Sequence, residues 1–76
     1  VTLGRSSRCT IIVEDSGVPS ILARLRLISG GVPVIECLSG SLFVNDAPLL
    51  KSARTVLHND DQITFSGVET HVLTFK

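Results

Sequence analysis

The sequence predicts an all-β fold, a sandwich of short, mostly antiparallel strands, and three observations carry that expectation. Aliphatic and β-branched residues come in bursts of strand length rather than at helical spacing. Turn-forming clusters of Gly, Ser, Asn and Asp recur about every 8–12 residues. No segment is long and amphipathic enough to lie as a helix on a core. This combination marks a small sandwich or barrel.

Taken in order, Thr10–Val13 is a β-branched run closed by the acidic turn Glu14-Asp15-Ser16-Gly17. Ile21–Ile28 alternates from Leu25 onward between apolar residues and Arg26, the period-two sign of a half-buried strand. Its Leu, Ala and Arg are also good helix formers, but the segment spans barely two helical turns and ends in Ser29-Gly30-Gly31, a hairpin turn. Val32–Leu38 follows as a strand, with Pro33 near its start where a missing N–H is tolerated. Ser39-Gly40-Ser41 interrupts, Leu42–Val44 is short and extended, and Asn45-Asp46 forms a tight turn. Leu49-Leu50 follows Pro48, and Arg54–Leu57 is a further short strand. After the polar turn His58-Asn59-Asp60-Asp61, Gln62–Phe65 and His71–Phe75 flank Ser66-Gly67 as a closing hairpin.

Bulk properties exclude several functions. Seventy-six residues make one domain with a small core, so stability is expected to be marginal without a partner or flanking chain. The chain starts at Val1 and holds no Met, which suggests a fragment lacking an N-terminal strand. Seven basic and seven acidic residues balance, and the basic ones are scattered, which argues against direct nucleic-acid binding. Zero net charge also removes long-range self-repulsion and permits self-association. Cys9 and Cys37 sit in apolar surroundings without C-x-x-C spacing, so reduced, buried thiols fit better than a disulfide or a zinc site. Within this segment no apolar run reaches the ~20 residues of a membrane span.

No residue pattern in the chain points to catalysis. His58 and His71 lack a ligand pattern such as H-E-x-x-H and are read as a turn residue and a strand-face residue. Gly40-Ser41-Leu42 is no nucleophile elbow, and no P-loop lysine follows Gly30-Gly31. Neither an enzyme nor a cofactor is expected, and no metal.

The order of the motifs resembles the forkhead-associated (FHA) family from Leu3 to about Phe75. Leu3-Gly4-Arg5 is similar to the family's Gly-Arg at a strand end, and Ile11–Asp15 to its apolar strand with an acidic turn. Val44-Asn45-Asp46 resembles its V-N-G, and Leu57–Phe65 its L-x-x-G-D-x-I-x-F. The resemblance implies an FHA-like β-sandwich that binds phosphothreonine peptides through loops at one end. Here the family's V-S-R-x-H-A stands as Val18-Pro19-Ser20-Ile21-Leu22-Ala23, so the phosphate-donating serine is Pro19 and the loop-bracing histidine is Leu22. The second recognition loop, N-G-T in the family, stands as Ser39-Gly40-Ser41 with no asparagine.

Magnitudes weigh that loss. A hydrogen bond to a charged group is worth about 1.5–3 kcal/mol, so two missing contacts remove roughly 3–6 kcal/mol. A micromolar interaction totals about 8 kcal/mol, and the remainder is millimolar or weaker. Pro19 has no N–H to substitute for the lost hydroxyl. Arg5, Ser20 and Ser41 are the vestigial phosphopeptide contacts. The bland alternatives are an Arg5 paired with a nearby carboxylate and loop serines that satisfy their own turns.

Ile21, Leu22, Leu49 and Leu50 put apolar area where loops should be wet, and are the candidate interface residues. The expectation is therefore a non-catalytic protein–protein module that has lost phosphopeptide binding and acts by homodimerisation or scaffolding. The resemblance places it in a nuclear DNA-damage checkpoint scaffold. Two alternatives stay open, a phosphothreonine reader with altered contacts and a structural domain of a bacterial secretion ring.

Overall fold

The computed structural model describes all residues, 1–76, and contains nine strands. They are β1 (Thr2–Gly4), β2 (Ile11–Ile12), β3 (Ala23–Ile28), β4 (Val32–Cys37), β5 (Ser41–Val44), β6 (Ala47–Leu50), β7 (Arg54–Val56), β8 (Gln62–Ser66) and β9 (Thr70–Thr74). A single 3-10 turn, Ser29–Gly31, joins β3 to β4. One sheet runs β2-β1-β3-β4-β7 and the other β6-β5-β8-β9. All pairings are antiparallel except β1 with β2, where Leu3 lies opposite Ile11.

Side-chain alternation builds the core between the two sheets. Ala23, Ile35 and Cys37 point inward from the first sheet, and Leu42, Val44, Leu49, Ile63 and Phe65 from the second. Leu3, Ile35 and Leu42 are fully buried, each worth about 1.5–3 kcal/mol in transferred apolar surface. Cys9 and Cys37 are buried free thiols, as their apolar settings suggested. Burial raises the Cys37 thiol above its ordinary pKa, although its Sγ donates to the carbonyls of Ser39 (3.7 Å) and Gly40 (3.5 Å).

Two sequence expectations change. The Ile21–Ile28 strand begins only at Ala23, because Leu22 turns into the sandwich: its N–H donates to the Leu3 carbonyl (2.8 Å) and its side chain is 2% exposed. Leu22 and Leu49 are therefore core residues and not interface residues. Leu49 opposes Leu42 on the inner face of its sheet, so period-two alternation hides it while exposing Leu50.

The Val44-Asn45-Asp46 motif has a structural task. Asn45 and Asp46 both take positive φ (50° and 67°), which closes the two-residue β5–β6 hairpin. The Asn45 side chain then donates to Asp61 Oδ1 (2.7 Å) and accepts from the Gln62 N–H (2.9 Å). Asp61 also accepts from the His58 N–H (2.7 Å), and that bond and the Asn45 amide lower its carboxyl pKa. The polar turn 58–61 is thus tied to the neighbouring hairpin.

Candidate functional site

The loops after β1, between β2 and β3, and between β4 and β5 meet through backbone contacts. Arg5 N–H donates to the Pro19 carbonyl and Ser6 N–H to that of Ser20, both at 3.0 Å. Gly4 permits this approach, since a Cβ there would collide with the backbone of Ser20 and Ile21. The Ser20 carbonyl also accepts from the Cys9 thiol (3.3 Å).

Arg5 is exposed, and its Nε donates to the Val18 carbonyl (3.2 Å). Its partner is thus a carbonyl, where the sequence suggested a carboxylate. Ser20 and Ser41 are exposed and their hydroxyls have no protein partner. Arg5, Ser20 and Ser41 line none of the four surface clefts of the molecule. The Pro19 ring lies beside Gly40, joining the second loop to the third. The Leu22 carbonyl accepts from the N–H groups of Leu38 (2.8 Å) and Ser39 (3.2 Å), so a buried leucine holds the third loop in place.

Sequence reasoning missed Asp15 and His71. Asp15 is 7% exposed and accepts four hydrogen bonds, from His71 Nε2 (2.8 Å) and from the backbone N–H groups of Gly17 (2.8 Å), Val68 (2.8 Å) and Glu69 (3.0 Å). The His71 contact first, and then the three backbone donors, hold its carboxyl far below the usual carboxylate range. His71 stacks on Phe65 with ring centroids 5.3 Å apart. The close fit also requires Gly67, where a Cβ would run into the Asp15 carboxylate. One signal was available: Asp-x-Gly favours an aspartate that accepts the N–H two residues on. The partners more than fifty positions away left no local trace.

The outward faces of the two sheets differ in charge. Across β3, β4 and β7 the register sets Arg24, Glu36 and Arg54 in one row and Arg26, Val34 and Val56 in the next. The Arg24–Glu36 pair is direct (2.8 Å). Ile28 and Val32 form a third, apolar row. On the second sheet no outward position carries a charge, and Pro48, Phe43, Thr64 and Val72 stand in one row with Leu50 nearby. Leu50 and Ile21 are 63% and 45% exposed, so these two of the four expected interface residues lie at the surface.

Comparison with known proteins agrees with this architecture. An engineered FHA domain described with a Myc-pTBD peptide shares 19% identity at TM-score 0.89 over 96% of this chain and 61% of its own. The MEK1 FHA domain shares 16% at TM-score 0.76 over 96% of this chain and 67% of its own. The N-terminal FHA domain of S. cerevisiae RAD53P, solved with a phosphothreonine peptide, shares 20% at TM-score 0.81 over 97% of this chain and 66% of its own. The chain thus spans about two thirds of the length of these structures, and at such identities the likeness shows the fold alone. No curated protein sequence matches the chain. The sequence model of the FHA domain matches residues 1–66, most of the chain. This chain belongs to the FHA family, whose domains are protein–protein interaction modules.

Proposed function

We propose that this FHA domain engages protein partners without reading phosphothreonine, and that it pairs with a second copy of itself. The supporting observation is the chemistry of the loop cluster. Pro19 and Leu22 occupy positions where the family pattern has a hydroxyl and an imidazole, and Leu22 is committed to the core. Arg5 keeps an exposed guanidinium whose Nε is already bonded to the chain. A single exposed arginine is a weak anion site in water.

Self-pairing draws on the outward face of the β6-β5-β8-β9 sheet. Because it bears no charge, the face can meet its own copy across a two-fold axis without like-charge repulsion. Phe43, Pro48, Leu50 and Val72 supply its apolar area. Strands ~4.8 Å apart and about five residues long give a patch of roughly 300 Å². A stable dimer buries about 800 Å² per partner, so the pair is weak and forms at high micromolar concentration. A nuclear checkpoint-scaffold setting, implied by the family resemblance, belongs to the same proposal, and localising the full-length protein tests it.

Two measurements test the reading. In titrations with phosphothreonine peptides and unphosphorylated controls, both series bind equally weakly or not at all. Phosphate-selective binding tighter than about 100 μM, near 5.5 kcal/mol, overturns the first half. In sedimentation, the mean mass rises with concentration and Phe43→Asp restores the monomer. A strict monomer at about 1 mM overturns the second half.

A further inference from the structure

The outward face of the β2-β1-β3-β4-β7 sheet belongs neither to the loop cluster nor to the uncharged sheet. It carries Arg24, Arg26 and Arg54 against Glu36 alone, an excess of two positive charges (3 − 1) on a chain with none overall. Arg24 is engaged by Glu36, and its Nε is buried without an acceptor. Arg26 and Arg54 have no carboxylate partner and are exposed. Between them lies a cleft of about 340 Å³ floored by Ile28, Val34 and Val56. Val34 points outward yet is only 6% exposed, which is consistent with long side chains lying over it from the neighbouring strands.

The β7 strand beside this cleft is the open edge of its sheet. Leu57 N–H bonds to the Pro33 carbonyl and Cys37 N–H to that of Ala53. That pattern turns the main-chain groups of Arg54 and Val56 away from β4, toward the open side. A second cleft of about 460 Å³ flanks the same edge and shares Arg54, Thr55 and Val56. An extended chain laid along β7 would find main-chain hydrogen bonds, an apolar floor for alternate side chains and two free guanidinium groups.

We propose that this face and edge dock an extended segment of a partner protein whose every second residue faces the cleft, with carboxylate and aliphatic side chains taking turns at those positions. The carboxylates meet Arg26 and Arg54, and the aliphatic side chains enter the dip over Val34 and Val56. A second copy is disfavoured here because two cationic faces repel. The apolar floor does not suit a phosphate backbone, and one of the three arginines is already neutralised. The proposal is independent of what the loop cluster reads.

The test uses the isotope-labelled chain and peptides of about ten residues in which carboxylate and aliphatic side chains alternate at every second position, with serine or threonine between them, long enough to cover one edge strand. A matched series has lysine in place of each carboxylate, and oligothymidylate serves as a polyanion without aliphatic groups. The acidic series shifts amides of β3, β4 and β7, and its binding weakens with added salt. Joint reversal, Arg26→Glu with Arg54→Glu, weakens it about tenfold, whereas Arg5→Glu leaves it unchanged. Arg26→Gln alone gives a smaller loss and serves if the double reversal does not fold. Equal binding of the lysine series, equal or tighter binding of oligothymidylate, or no acidic-series binding at millimolar concentration overturns the proposal. Shifts confined to the loops around Arg5 overturn it as well.

Discussion

The loop between β2 and β3, residues 13–22, is tied down at two points by opposite chemistries. At its start, the Asp15 carboxylate gathers four donors and links the loop to the β8–β9 turn and to His71. At its end, Leu22 is held by apolar burial and by backbone bonds through its carbonyl. The first tie needs a charge to be present, and the second is indifferent to pH. Arg5, which meets the middle of this loop at Val18, is a charged group that ties little, since its side chain makes one bond and stays in water. In this loop, strong electrostatics serves the scaffold rather than the surface.

The largest expected effect comes from the apolar tie. Leu22→Ala should cost about 3 kcal/mol, because a fully covered leucine leaves a cavity. Denaturant unfolding should show the same loss at pH 7, where the Asp15 tie is intact, and at about pH 3, where part of it has gone. A loss that differs between the two would mean that the two ties are coupled.

Asp15→Asn should come next, with a fall in Tm on the order of 10 °C at neutral pH as buried N–H groups lose their charged acceptor. Its pH dependence separates the two ties. The folded pKa of Asp15 is depressed, so its contribution is complete above the unfolded value of about 3.9 and is lost as pH falls below it. Melting curves of the wild type and Asp15→Asn should therefore converge in acid. Asp61, also depressed, adds acid sensitivity of the same sign to both proteins and leaves their difference unchanged. A gap that persists unchanged to about pH 2 would show that the carboxylate charge is not what holds the loop.

Arg5→Ala should be nearly silent, shifting stability by less than about 0.5 kcal/mol in chemical denaturation. A larger loss would mean that the single bond to Val18 organises the loop cluster.

These contrasts also explain what was legible from the sequence. Alternation from Leu25 onward located β3, although only its first half meets the other sheet and Leu27 is 71% exposed, and the flanking turns at 58–61 and Ser66-Gly67 located β8. The Asn45-Asp46 turn was legible because few residues adopt two successive positive φ values. Leu22 and Leu49 were misplaced for a shared reason. Each lies next to an exposed apolar residue, Ile21 or Leu50, and composition alone does not tell which of two adjacent side chains points inward. Asp15 and His71 were invisible as a pair because their meeting depends on the closure of the whole sandwich.

The sheltered Cys37 gives the domain a built-in chemical clock. A thiolate is the species that attacks disulfide reagents, and burial both blocks access to this sulfur and disfavours its ionisation. Modification must wait for strand β4 to part from its neighbours, so the rate at which a small thiol reagent consumes Cys37 counts the openings of the sandwich.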